Sequence, residues 1–471
     1  MSTLTPGAPV QLAPAPALKR LPRLWASIFS ARARAGELAW VMAGKFGMLG
    51  ANAALMLLLA QRLELAAYGQ FVTLISGQLL LSRVLMPGIE CGVTRLRTLP
   101  AYRLRGGQLT RAGLQVIWGL GAIAALGALA ICLVWEALGE PHWWIWLTAA
   151  MVGGALGTAL VDFCYRMHLA QLRYRAATTA QSGTALLRLT ALAPLALWWP
   201  QQTWLLFLLY PIVTLLAGLL QTWLLKLPRG AGFDFPMIGE LLRYSGWQAV
   251  TNIAAVLSLY QGTFVLNFYG QAAATGLFGL GLSMSQGFFA INNAYTEYLL
   301  PRAVRAGHLR ELRSFLRRTL FGSLLLASGG VLATLVLGQL IQFLKPELHT
   351  VEPIFYCLAA ALLLLSFQAP LSAAIHYLMR PQLLTCGGVL LVICTGSLSL
   401  WLAPAYGAWG AALGQLGGTA LALLLLVILL ALAWRSAQHA ETDLFSQQTK
   451  RSGSASCGQP AEQNPCSLTN P

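Results

Sequence analysis

Acidic residues are what this chain has least of. Asp and Glu number 15 in 471 residues against 31 Lys and Arg, and all four charged types together make up only 10% of the sequence. A soluble domain carries roughly 25%, so an ordinary globular enzyme is excluded. Histidine is equally sparse: His142, His168, His308, His349, His376 and His439 lie near the ends of apolar runs or outside them. No Ser–His or metal-ligand spacing stands out, so neither a nucleophile with its base nor a metal site is expected, and no cofactor is implied. Five of the eight cysteines, Cys132, Cys164, Cys357, Cys386 and Cys394, fall in or beside apolar stretches, where a thiol acts as a small hydrophobe. Cys457 and Cys466 sit in a polar tail, and no disulfide is expected. Nor is a cleavable leader expected, since Met1–Pro22 is rich in Pro and Ala and the first long apolar run begins near Leu38.

Apolar length is what the chain has. It is 57% hydrophobic, with uncharged runs such as Ala112–Trp135 and Leu402–Trp434. Runs beyond about 18 residues cross bilayers as helices, because lipid offers the backbone no hydrogen bonds. The expected fold class is an all-α polytopic membrane protein with twelve spans, at roughly 38–60, 68–89, 112–135, 142–164, 178–199, 203–225, 246–268, 274–298, 319–343, 351–376, 383–403 and 408–433. No segment between them is long enough to be a catalytic domain.

The net charge of +16 invites a nucleic-acid reading, but the basic residues form no single patch. They alternate between connections. Arg-rich loops follow spans two, four and eight, a basic one with Lys226, Arg229 and Arg243 follows span six and Arg380 follows span ten, while the turns after the odd-numbered spans are uncharged, balanced or acidic. By the positive-inside rule both termini are cytoplasmic. Lys19 to Arg34 interleaves cations with Leu, Trp, Ile and Phe, as an amphipathic segment on an anionic membrane or a plain topogenic signal would. The expected organisation is a basic segment 1–37, a first lobe 38–225, a basic linker 226–245, a second lobe 246–433 and an unstructured cytoplasmic tail 434–471.

The two lobes read as copies. Tyr68 to Arg95 has a diluted repeat at Thr275 to Arg302, 207 residues on. Gly69 meets Gly276, Phe71 meets Phe278, Ser76 meets Ser283, Glu90 meets Glu297 and Arg95 meets Arg302, and the same shift carries Trp40 onto Trp247. The matches fall on Gly, polar and charged positions, where coincidence is least cheap in an apolar chain. Two six-span lobes related by an axis along the membrane normal are expected.

Three cations fall inside spans. Lys45 shares a helical face with Asn52, Arg83 with Ser76 and Glu90, and Arg188 with Thr184 and Gln181. Each costs roughly 3 kcal/mol or more in hydrocarbon, so it should face a cavity or a partner. For Lys45 and Arg83 the alternative is snorkelling, or an ion pair with Glu90 or Asp162. Span eight aligns Ser283, Gln286, Asn293 and Glu297 on one face, and span seven carries Gln248, Asn252 and Gln261. Interhelical hydrogen bonding accounts for these amides as well as a sugar-facing wall does. Glu90, Asp162 and Glu297 fall at span ends, as candidate gate or ion-pair residues, and no acid falls near mid-membrane. Mid-membrane cations favour an anionic ligand such as a phosphate or an acidic sugar.

Short motifs in a fixed order carry a resemblance: Lys45-Phe46, Tyr68-Gly69-Gln70-Phe71, Pro87-Gly88-Ile89-Glu90-Cys91-Gly92-Val93-Thr94-Arg95, Thr275-Gly276-Leu277-Phe278, Leu300-Pro301-Arg302 and Pro404-Ala405-Tyr406-Gly407-Ala408-Trp409-Gly410. Over about residues 38–433 the chain resembles the polysaccharide-transporter branch of the multidrug/oligosaccharidyl-lipid/polysaccharide exporter superfamily, the bacterial oligosaccharide flippases. The resemblance implies two six-helix lobes around a central cationic cavity and alternating access. It implies transfer of an undecaprenyl-diphosphate-linked oligosaccharide to the outer leaflet of a bacterial inner membrane, for surface or exported polysaccharide, beside other polysaccharide-assembly membrane proteins. The expected cavity residues are Arg188, Arg83, Lys45, Gln286, Asn293 and Asn252. A MATE-like exporter of another substrate is the alternative, and a membrane polysaccharide polymerase or ligase is a third.

Overall fold

The computed structural model describes residues 21–98, 102, 105–137, 143–171, 173–225, 234–303, 309–344, 349–377 and 381–455. Thirteen helices account for nearly all of them. The first lobe holds α1 (Leu21–Arg62), α2 (Leu65–Leu85), α3 (Ile89–Thr98), α4 (Gly106–Ala137), α5 (Trp143–Ala170), α6 (Tyr174–Trp198) and α7 (Thr203–Leu224). The second holds α8 (Phe235–Phe268), α9 (Ala272–Ala303), α10 (Leu309–Leu344), α11 (Val351–Leu364), α12 (Gln368–Tyr377) and α13 (Pro381–Ala455).

Ten stretches among the described residues are long and apolar enough to cross a membrane. The last, in α13, is 55 residues long and doubles back where Gly407 takes φ +57° and ψ −135°. It therefore supplies two crossings. The 25-residue α6 has the length but not the apolarity, because it carries Gln181, Thr184 and Arg188 along one side. It lies beside α1, α5 and α7, and counting it gives the twelve spans expected.

The repeat is visible in three dimensions. In the first lobe the Thr178 hydroxyl on α6 donates to the Trp40 carbonyl on α1, at 3.1 Å. In the second the Thr385 hydroxyl on α13 donates to the Trp247 carbonyl on α8, at 3.3 Å. Both donors and both acceptors are 207 residues apart. Both tryptophans face outward from the bundle.

Where the halves differ, local chemistry explains it. The expected span 68–89 ends as a helix at Leu85, because Pro87 disfavours the helical conformation at Met86 (φ −125°, ψ 64°) and Gly88 turns the chain with φ +67°. The start of the basic stretch beyond, with Arg95 and Arg97, is α3, whose Ile89, Val93 and Leu96 are buried against neighbouring helices. In the second lobe Ala294 and Tyr295 occupy the equivalent positions, and α9 runs on unbroken to Ala303.

Two further expectations change. The basic segment before span one is no separate surface helix from Leu21 on, but the first part of α1. The tail, expected to be unstructured from residue 434, continues α13 to Ala455. No proline interrupts it there, and an established helix propagates at little cost. Residues 1–20 and 456–471 lie outside the described residues. The linker ends in a helix start: the Asp234 carboxylate accepts from the Met237 amide at 3.2 Å and Pro236 follows it, so α8 begins at Phe235.

The lobes meet along α2 and α9. A Cβ on Gly276 would lie 2.5 Å from the Leu65 carbonyl oxygen, and one on Gly69 would overlap the Ala272 carbonyl oxygen. Only two glycines allow this approach. Leu55, Leu59, Tyr68, Phe71, Leu280 and Val351 pack around the contact and close that end of the bundle.

Candidate functional site

Below the closed end the lobes diverge and leave a central cavity of about 630 Å³. Its wall runs from Val72 and Gly279 down to Glu90, Arg166 and Asn293, towards the end that carries the Arg-rich connections. Along α9 that path, Gly279 to Asn293, covers roughly 21 Å at 1.5 Å per residue.

Four cations line the cavity, Lys45, Arg83, Arg166 and Arg188, against two acids, Glu90 and Asp162. All six belong to the first lobe. Among the described residues, the polar groups that the second lobe contributes are uncharged: Tyr260, Ser283, Gln286 and Asn293. The wall thus has a positive side and a neutral hydrogen-bonding side.

Arg188 is held as a pointer. Its Nε donates to the Thr214 hydroxyl at 2.9 Å, and its guanidinium lies 4.9 Å from the Tyr210 ring centroid. The Thr214 hydroxyl spends its own proton on the Tyr210 carbonyl at 2.8 Å, so its lone pair is available to the arginine. Phe71 packs edge-on to Tyr210 at 5.5 Å, which fixes the ring from behind. One turn away Gln221 donates to the Thr184 hydroxyl (2.8 Å) and the Ala180 carbonyl (2.7 Å), tying α6 to α7. Arg188 lines the cavity, and with Nε and the ring face occupied its two Nη groups are what it can offer a ligand. That fork matches two phosphate or carboxylate oxygens.

Arg83 is different. Its Nη2 lies 2.8 Å from Asp162 Oδ2, and both side chains are only about a quarter exposed. The ion pair named as the alternative is therefore present, although both residues also line the cavity. Asn52, Gln181, Ser283, Gln286 and Asn293 all reach the wall as their helical spacing predicts. Gln286 donates to the Tyr260 hydroxyl at 2.9 Å.

Asn252 is not on the cavity wall. Its Nδ2 donates to Glu90 Oε1 at 2.8 Å, across the lobe boundary, and its Oδ1 accepts from Gln248 at 2.9 Å. Gln261 is likewise spent inside its lobe, on Thr395. Glu90 is 4% exposed, and its Oε2 has no partner among the described residues. Burial pushes its carboxyl above the usual carboxylate range, while its own amide and the nearby Arg83 and Arg166 offset part of that. The Glu297 side chain lies outside the described residues. Arg166, Tyr210 and Tyr260 are wall residues that the sequence does not single out. Arg166 reads there as a loop cation, and a lone tyrosine in an apolar run carries no periodic signal.

No group of three or more His, Cys, Asp or Glu fit to hold a metal ion occurs among the described residues. Neither a family model nor a curated protein sequence matches the chain. Solved structures do. An inward-facing multidrug resistance MATE family transporter of the MOP superfamily aligns with a TM-score of 0.61 at 13% identity, over 86% of this chain and 98% of its own. The lipid II flippase MurJ, in an inward closed conformation, aligns at 0.61 and 12%, over 82% and 86%. The eukaryotic MATE transporter AtDTX14 aligns at 0.55 and 14%, over 87% and 99%. The chain shares the fold of these membrane transporters.

Proposed function

We propose that this protein is a flippase that moves an undecaprenyl-diphosphate-linked oligosaccharide from the cytoplasmic to the outer leaflet of a bacterial inner membrane. The observation that carries this reading is the charge division of the cavity. A diphosphate needs paired guanidinium and ammonium donors, and the first lobe supplies them from Arg188, Lys45 and Arg166. Sugar hydroxyls need neutral donors and acceptors, and the second lobe supplies Gln286, Asn293 and Ser283. A hydroxyl-rich headgroup resists hydrocarbon because it loses its water hydrogen bonds, by roughly 2–7 kcal/mol per unpaired group. A polar cavity removes most of that barrier. The Arg-rich end is taken as cytoplasmic, so the headgroup enters from there while its polyprenyl chain stays in lipid. The likeness to a lipid II flippase fits a lipid-linked substrate without identifying this one.

One observation favours a second reading, an exporter of another substrate in the MATE manner. Glu90 and Asp162 place two carboxylates on the cavity wall, where the sequence predicts acids only at span ends, and a cation-coupled exporter uses such groups.

The experiment is deletion of the gene, followed by leaflet assignment of undecaprenyl-linked oligosaccharide in spheroplasts with an impermeant lectin. Complete units accumulating on the cytoplasmic face, with surface polysaccharide lost, are expected. Units stranded on the outer face would point to a polymerase or ligase instead. An unchanged lipid-linked pool would leave the exporter reading standing and remove the flippase.

A further inference from the structure

The charged side of the cavity can be compared with its own repeat. The 207-residue shift, which holds in space for the Thr178–Trp40 and Thr385–Trp247 bonds, carries Arg83 onto Ala290, Asp162 onto Ala369 and Arg166 onto Ala373. In the first lobe α2 lies beside α5, as in the second α9 lies beside α12. Ala290 lines the cavity, while Ala369 and Ala373 are buried around Leu299. The same helix pair therefore packs with alanines in one lobe and with an ion pair in the other, Arg83 Nη2 to Asp162 Oδ2 at 2.8 Å. A partly buried pair adds little to stability once its desolvation is counted. The fold does not call for this one, and both partners stand on the cavity wall.

We propose that Asp162 is a tethered stand-in for the cargo's anion: it occupies Arg83 in the empty cavity, and only a headgroup of higher negative charge displaces it. This deepens the diphosphate reading above and rests on it. A cavity lined by four cations attracts phosphates in general, and a bilayer presents singly charged phospholipid headgroups in excess of any carrier lipid. A carboxylate already in contact holds Arg83 against a phosphodiester of the same charge. A diphosphate carries more charge, gains more from Lys45, Arg166 and Arg188, and takes the guanidinium. Asp162 then has Arg166 four residues on, on the same face of α5. When the cargo leaves, the carboxylate returns, and the cavity is not left with a bare guanidinium.

The test uses the full chain in phosphatidylcholine nanodiscs with undecaprenyl diphosphate as the probe. D162N should bind it about five-fold more tightly, the worth of one part-exposed ion pair. In an R83Q background D162N should change little, whereas a general loss of negative charge would act in both. Doping the nanodiscs with phosphatidylglycerol should weaken probe binding several-fold in D162N and little in wild type. Thermal unfolding needs no ligand and separates a stand-in from a strut. R83A should lower the midpoint by taking the guanidinium from Asp162. The R83A/D162A double variant, which gives the first lobe the alanines of the second, should recover it. A double variant as unstable as R83A would make the pair a strut and overturn the proposal. So would a D162N that binds no tighter than a binding-competent wild type, a D162N gain that persists in R83Q, or equal sensitivity to phosphatidylglycerol. Wild type and D162N both ignoring the probe would defeat the diphosphate reading itself.

Discussion

Gly69 and Gly276, 207 residues apart in the chain, face each other where α2 meets α9, with a Cβ on Gly69 falling 2.9 Å from the Gly276 amide nitrogen. The two residues are repeat mates, so this contact lies on the pseudo-twofold axis itself. It is also the closure of the cavity at the end away from the Arg-rich connections. A residue that meets its own mate is under a double constraint: any side chain added to one intrudes on the other.

Gly69→Leu should therefore unseal this end. Overpacking of this kind costs roughly 1–3 kcal/mol, so a lower unfolding midpoint is expected. The sharper readout is access. With Ser283→Cys as a reporter on the cavity wall, an impermeant maleimide applied from the Gly69 side should label residue 283 several-fold faster, by peptide mass spectrometry. An unchanged labelling rate would mean that the glycine contact is not the seal.

Arg188 should depend on how it is held as well as on its charge. Arg188→Ala should weaken undecaprenyl diphosphate binding by about 10- to 100-fold, the worth of one charge-assisted hydrogen bond or two. Arg188→Lys keeps the charge but loses the Thr214 bond and the planar face on Tyr210, and should fall between the two. Thr214→Val should reproduce a smaller part of the loss with the arginine present. Equal affinity for Arg188→Lys and wild type would reduce the residue to a point charge.

Glu90 gives a pH dependence with a defined sign. Its carboxyl is raised by burial, so the folded protein holds this proton more tightly than the unfolded chain, where a glutamate titrates at about 4.3. Stability relative to Glu90→Gln is then greatest below that value and is lost as pH rises through the raised one. Glu90→Gln keeps an oxygen for Asn252 to donate to. Unfolding midpoints measured from acid to neutral pH should show the variant gaining on wild type as pH rises. A parallel pair of curves would assign the carboxyl an ordinary pKa.

The sequence made the architecture legible because a bilayer leaves few choices. Run length and the side on which Arg falls are enough for twelve spans, and the repeat surfaces at Gly69, Trp40 and Glu90, positions that cannot drift as Leu to Val can. Lys45, Arg83 and Arg188 were legible as cavity residues for the same reason, since a cation in hydrocarbon must face something polar. Depth along a span was a poor guide to the acids. Glu90 and Asp162 look like span ends in a linear reading, yet Asp162 lines the wall from α5, and the break at Gly88 with the packing of α3 on α8 brings Glu90 there. Asn252 has the right helical spacing for the wall, but its amide is consumed by a glutamate 162 residues away. Thr178 and Thr385 mark the repeat best in space, yet a threonine pair in an apolar chain is inconspicuous in sequence until its partner carbonyls are seen.

The one-sided charge of the cavity has an electrical meaning. A charge carried across the full membrane potential exchanges about 2.3 kcal/mol per 100 mV. Every charged group described on the wall belongs to the first lobe, so the second lobe's wall can tilt past the cargo without moving a charge of its own through the field. In the proposed flippase, the voltage dependence of the loaded step then reports whatever displacement the first lobe's charges undergo together with that of the cargo. Over a complete cycle the wall's own charges return to where they began, so the charge moved is that of the cargo, and an anion carried outward would be driven by a potential that is negative inside.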